Sequence, residues 1–154
     1  METINTFAQQ AVFVDDSALI TFMDPDNPHY AKARSFFIDL DDLDRHFVTT
    51  NYVLFAAHQW LRDRHGYAHA EFFLDTIDKS AEQGRLTVIP GHSEWEKEAR
   101  QFVSKHPDFR FSLAEAVSSI VLMRFQISRI FTFNPNYMML QMIYPDLKII
   151  PSSV

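Results

Sequence analysis

The sequence predicts an α/β domain with a mainly parallel central sheet covered by helices on both faces, a three-layer α/β/α sandwich. Three observations carry that reading. Short β-prone apolar runs alternate with longer segments whose apolar residues recur at helical spacing, the pattern of a parallel sheet buried on both sides. The first such run, Val12 to Val14, passes directly into residues able to cap a helix. Fifteen phenylalanines beside only three glycines describe a helix-rich interior packed with aromatic rings. At 154 residues and 47% hydrophobic content, residues 1–154 are expected to form a single domain with a substantial core.

In order along the chain, Val12-Phe13-Val14 reads as a strand, and Asp16 or Ser17 is the expected cap of a helix through Ala18-Leu19-Ile20. Asp24-Pro25-Asp26 breaks the chain, and Asn27-Pro28 offers an N-cap with proline at the first helical position. Tyr30, Ala33, Phe37 and Leu40 share one face of the helix that follows, and Asp39 to Asp44 reads as an acidic linker. Phe47-Val48-Thr49 is a second strand leading into a helix over about residues 51–64, with Tyr52, Val53, Ala56, Ala57 and Trp60 as its apolar face. Gly66 separates that helix from another over about residues 67–80. Leu86 to Ile89 is the third strand, and Ser93-Glu94-Trp95-Glu96 matches a capping box at the start of the next helix. A helix over residues 112–123, a strand over 130–133, a short helix over 137–142 and a last strand over 147–150 complete the prediction.

Composition narrows the function. The net charge of −6 argues against broad nonspecific nucleic-acid binding, which depends on lysine and arginine neutralising phosphates. Arg62, Arg64 and His65 are the densest basic cluster and read as a solvated helix end. The absence of cysteine excludes disulfides, cysteine zinc sites and thiol catalysis. No apolar run approaches a membrane span, and the polar start Met1-Glu2-Thr3-Ile4-Asn5 lacks the layout of a secretory signal, so a cytoplasmic location is expected.

Candidate functional residues follow the strands, because ligands of open α/β sheets bind at the strands' carboxyl ends. Asp15 follows a strand expected to be central, where a carboxylate is costly unless a cation, a donor network or water compensates, so a functional role is expected in preference to a plain helix cap. For Asp16 a capping role is expected. Glu115 fits a capping box begun by Ser112 and equally a metal ligand. Asn134, before Pro135, fits a simple turn and also offers an uncharged oxygen. His65 and His69 have the spacing of two zinc ligands on one helix turn, but Gly66 is expected to interrupt that helix and no third ligand is apparent, so an exposed pair is expected.

Val14-Asp15-Asp16-Ser17 resembles the first strand end of a phosphoacceptor receiver domain, but the later pattern departs: the third strand ends in Pro90-Gly91 and Lys148 is followed by Ile149. Over about residues 11–150 the chain resembles the PIN domain, especially its VapC-type toxin branch. Val12-Phe13-Val14-Asp15-Asp16-Ser17-Ala18-Leu19 looks like the family's opening motif and Thr49-Thr50-Asn51-Tyr52-Val53-Leu54 like its second. Phe111-Ser112-Leu113-Ala114-Glu115-Ala116 looks like the third, and Ile130-Phe131-Thr132-Phe133-Asn134 like the fourth.

The resemblance implies a ribonuclease whose acidic cluster binds magnesium or manganese and activates water to cleave RNA. It further implies a homodimer and a small antitoxin-like protein partner. The family's glutamate in the second motif falls on Ala56, its aspartate in the third on Glu115 and its aspartate in the fourth on Asn134, so Asp15 alone is unchanged. Asp15 and Glu115 are therefore the expected ligands of a weakly bound ion, Asn134 is a neutral member of the site, and cleavage is expected to be weak or lost. The alternative expectation is a noncatalytic module that binds protein or RNA. The adjacent pairs Phe36-Phe37 and Phe72-Phe73 place rings on more than one side of their helices, and could serve a partner or a wide core-facing stripe.

Overall fold

The computed structural model describes residues 10–151, so the polar start lies outside the described residues. Five strands form one parallel sheet: β1 (Ala11–Val14), β2 (His46–Thr50), β3 (Leu86–Ile89), β4 (Arg129–Phe131) and β5 (Lys148–Ile150), in the order β3-β2-β1-β4-β5. The helices are α1 (Asp16–Met23), α2 (Tyr30–Asp42), α3 (Asn51–His65), α4 (Tyr67–Glu82), α5 (Ser93–Lys105) and α6 (Leu113–Arg124), with a 3-10 helix at Pro135–Met142. The arrangement is the predicted α/β/α sandwich, and every strand pair is parallel.

β1 is central, and all four of its side chains are buried. Fully burying one ring such as Phe13 contributes roughly 1.5–3 kcal/mol relative to exposure, so this strand is a main anchor of the core. Val12 pairs with Phe47 and Phe13 with Ile130, which brings the carboxyl ends of β1, β2 and β4 to one edge. Phe37 of α2 stacks on Phe131 and tilts against Phe47, fixing that helix to the sheet. Phe36 packs edge-on to Phe131, so both members of this pair face the core, whereas in α4 Phe73 is buried and Phe72 is exposed. A second aromatic cluster joins Phe102 of α5 to Phe111 and Phe111 to Tyr137. No described helix is long and apolar enough to cross a membrane.

Several boundaries differ from the sequence reading for identifiable reasons. Asp15, rather than Asp16 or Ser17, caps α1, its carboxylate accepting from the Ala18 amide. Asn27 accepts from the His29 amide in a turn, and the helix begins at Tyr30 instead of at Pro28. The acidic segment is partly helical, since α2 runs to Asp42. His92 caps α5 through Nδ1, so Ser93 is already helical. On α3 the buried residues are Val53, Ala57 and Leu61, while Ala56 and Trp60 are exposed.

Candidate functional site

The end of β1 turns directly into α1, and the N-cap geometry aims the Asp15 carboxylate back into the protein. Asp15 is completely buried. Its Oδ1 accepts from Ser17 Oγ at 2.7 Å and from the Ala18 amide at 3.0 Å, and its Oδ2 accepts from Thr132 Oγ1. Of the three ways to compensate a buried carboxylate, this chain uses a network of neutral donors. Burial pushes the Asp15 carboxyl up to about 7, against the hydrogen bonds of Thr132, Ala18 and Ser17, which pull it down.

The same network closes the loop after β4 onto α1. Ser17 Oγ accepts from the Phe133 amide at 2.9 Å, and Thr132 Oγ1 accepts from the Asn134 amide at 2.9 Å. Asn134 Oδ1 caps the 3-10 helix by accepting from the Asn136 amide at 3.0 Å. Asn136 Nδ2 in turn donates to Glu115 Oε2 at 2.9 Å and to the Arg110 carbonyl at 3.0 Å. A continuous chain of hydrogen bonds thus links Asp15 through Thr132, Asn134 and Asn136 to Glu115. Ser112 Oγ accepts from the Glu115 amide, which is half of the expected capping box, but the Glu115 carboxylate is directed to Asn136.

Two further residues report that the acidic groups converge. Tyr137 is buried, and its phenol is pushed well up by that burial and by the charges of Asp15, Glu115 and Asp16. Asp16 is pushed up by partial burial and by the charge of Glu115. The structure therefore brings Asp15, Glu115 and Asn134 to one sheet edge and adds Asp16, which sequence reasoning assigned to capping. Ala56 is exposed on α3 and supplies no ligand atom.

A divalent ion would fit this edge only loosely. In favour, the negative charge of Glu115 adds to the rise of the partly buried Asp16 carboxyl, and a cation relieves such repulsion. Asn51, directly after β2 at the same sheet edge, carries a buried Oδ1 with no hydrogen-bond partner among the described residues. Against tight binding, both Asp15 oxygens already accept protein hydrogen bonds and the Asn134 oxygen is occupied as a cap. The residues suit a largely hydrated ion held by one or two carboxylates, as magnesium commonly is.

Beside Asn134 opens a cavity of about 390 Å³ whose lining includes His29, Lys32, Phe133, Asn134 and Met138. The His29 and Phe133 rings stack with centroids 5.5 Å apart.

Thr132, Asn136 and Tyr137 were not singled out from sequence. Thr132 and Asn136 lie within two residues of Asn134, so the turn itself was the available signal. His65 and His69 lie away from this edge: His65 Nε2 contacts Asp24 Oδ1 at 2.8 Å and His69 Nε2 contacts the Met23 carbonyl at 2.6 Å, both at the far end of α1.

No protein-family model and no curated protein matches the sequence. Among solved structures, the chain is similar to VapC20 of Mycobacterium tuberculosis, described as a Sarcin-Ricin loop cleaving toxin. The TM-score is 0.71 at 18% identity, over 83% of this chain and 93% of that one. The chain therefore has a VapC-like PIN fold.

Proposed function

We propose that this protein derives from magnesium- or manganese-dependent endoribonucleases of the VapC type and retains a reduced acidic site with weak or lost RNA cleavage. The observation that carries this reading is the hydrogen-bonded line from Asp15 to Glu115 at the carboxyl edge of β1 and β4, in a fold shared with a Sarcin-Ricin loop cleaving toxin. Asp15, Asp16 and Glu115 would hold the ion and Asn134 would orient the loop beside it. When bound, such an ion polarises a phosphodiester and lowers the pKa of a water ligand. The chain's own contribution is to keep Asp15 fixed, to keep Glu115 turned by Asn136, and to leave Ala56 open to solvent where the family places a glutamate. The cavity next to Asn134, with Lys32 and the His29–Phe133 stack, offers a cation and ring faces to a single-stranded RNA.

Losing a single group next to a metal costs roughly 10- to 100-fold in affinity or activity, and Ala56 and Asn134 remove two charged ones. Manganese titration followed by cleavage of a mixed RNA substrate tests the proposal, with Asp15→Asn as control. At most slow cleavage, abolished in the control, is expected. Fast cleavage abolished in that control would make the protein an ordinary nuclease with an unusual ligand set.

A second reading, a noncatalytic binding module, is favoured by the exposed rings of α3 and α4. Phe55 is 67% exposed beside Ala56, and Tyr67 and Phe72 are also exposed. Such a surface suits a second copy or a small antitoxin-like protein. Light scattering after size exclusion measures the first: a dimer is expected, and a monomer at high concentration would remove that part of the reading.

A further inference from the structure

We infer that the far end of α1 and the α3–α4 junction form a transition-metal site, with Asp24, Asp26 and His65 as ligands for a zinc-class divalent ion. It is separate from the acidic edge, because Asp15 and Asp24 flank opposite ends of α1. The ligand atoms of Asp24, Asp26 and His65 all lie within 4.8 Å of one another. A tetrahedral ion with bonds of about 2.0–2.1 Å holds its ligands roughly 3.3 Å apart. Asp24 Oδ1 and His65 Nε2 are already 2.8 Å apart, and Asp26 is an exposed carboxylate free to close the remaining distance.

The chemistry of the cluster points the same way. The Asp24 side chain is 5% exposed, and its Oδ1 accepts both from His65 Nε2 and from the Asp26 amide at 3.1 Å. With neutral imidazole the group carries two negative charges, which a divalent ion offsets on binding Nε2 while the imidazole proton passes to Nδ1. Imidazole nitrogen combined with carboxylate oxygen selects zinc or a similar borderline ion over magnesium or calcium, which prefer all-oxygen sites. The local backbone is built for this placement. Gly66, at φ 94°, breaks the helix just after His65, and α4 then brings His69 back until the two rings lie 4.8 Å apart. His69 is held by the Met23 carbonyl, so it braces the end of α1 beside the ligands in the manner of an outer-shell residue. The two carboxylates come from Asp24 and Asp26, about forty residues before His65 in the chain, where inspection of the histidine spacing does not find them.

Calorimetric titration of the untagged full chain with zinc chloride, after chelation and dialysis, tests the site. One zinc per chain is expected, with a thermal midpoint raised by several degrees at roughly a hundredfold excess of ion over Kd. Cobalt in place of zinc is expected to give visible absorption of a mixed nitrogen and oxygen site. Asp26→Asn, exposed and therefore harmless to folding, and His65→Gln are each expected to weaken binding at least 10-fold. Asp15→Asn should leave it unchanged, which separates this site from the acidic edge. Absence of stoichiometric zinc, binding indifferent to both Asp26→Asn and His65→Gln, or binding lost in Asp15→Asn would each overturn the assignment.

Discussion

The two ends of α1 solve one problem in two ways. At its start, Asp15 is buried among neutral donors, two hydroxyls and a backbone amide. At its end, Asp24 is nearly as buried but faces an imidazole and lies beside a second carboxylate. Neutral donors hold a carboxylate in position without supplying opposite charge, so burial still favours the protonated form, and the Asp15 carboxyl rises to about 7. An imidazole supplies a proton or yields its nitrogen to a cation. One end is thus rigid and short of positive charge, and the other is built to receive it.

The largest expected effect comes from returning negative charge to the first end. Ala56→Glu with Asn134→Asp is expected to raise manganese-dependent RNA cleavage by roughly 100- to 10,000-fold, taking about 10- to 100-fold for each restored group. The product of two factors is an upper guide, because members of one site rarely act independently. A fold shown intact by circular dichroism with no gain in cleavage would mean that the groove for RNA, rather than the ligand set, has been lost.

Next in size is the pH dependence of stability that Asp15 confers. Its carboxyl titrates near 3.8 when exposed and near 7 when folded, so between those values the unfolded chain is ionised while the folded one keeps its proton. Stability is therefore greatest below about pH 4 with respect to this group, falls as pH rises, and levels off above about 7. At about 1.4 kcal/mol per pH unit the loss approaches roughly 4 kcal/mol. Asp15→Asn should remove that slope, and urea unfolding of both proteins at pH 4 and pH 8 measures the difference. Equal slopes in the two proteins would show that the buried carboxylate is better compensated than its donors suggest. Thr132→Val should cost about 1–3 kcal/mol, because it leaves Asp15 Oδ2 without its donor, and should move the end of the pH window upward.

The fold class was legible because strand and helix periodicities are local, and β1 has the central place expected of it. What local pattern missed depended on partners far along the chain. The fourth strand was expected to run to Phe133 but ends at Phe131, because the Phe133 amide is taken by Ser17, across most of the sequence. Asp15 was legible as a buried carboxylate, but its partner Thr132 was not, and the capping role moved from Asp16 to Asp15 for want of that contact. On α3, apolar residues occupy more than one face, so composition could not tell that Ala57 and Leu61 point inward while Trp60 does not. From sequence His65 and His69 read as an exposed pair, because Asp24 and Asp26 reach His65, and the Met23 carbonyl reaches His69, only through the tertiary fold.

The smallest effect tests the second end without metal. His65→Gln removes the ionisable partner of Asp24 but leaves an amide able to donate to Oδ1, and the His65 side chain is 19% exposed, so water screens part of the change. In chelating buffer the expected cost is roughly 0.5–1 kcal/mol, below that of Thr132→Val. The ordering is the informative quantity. If His65→Gln proved the more damaging, the imidazole would be holding Asp24 in a way that an amide donor cannot replace, and the contrast between the two ends of α1 would be one of structural support rather than of ligand readiness.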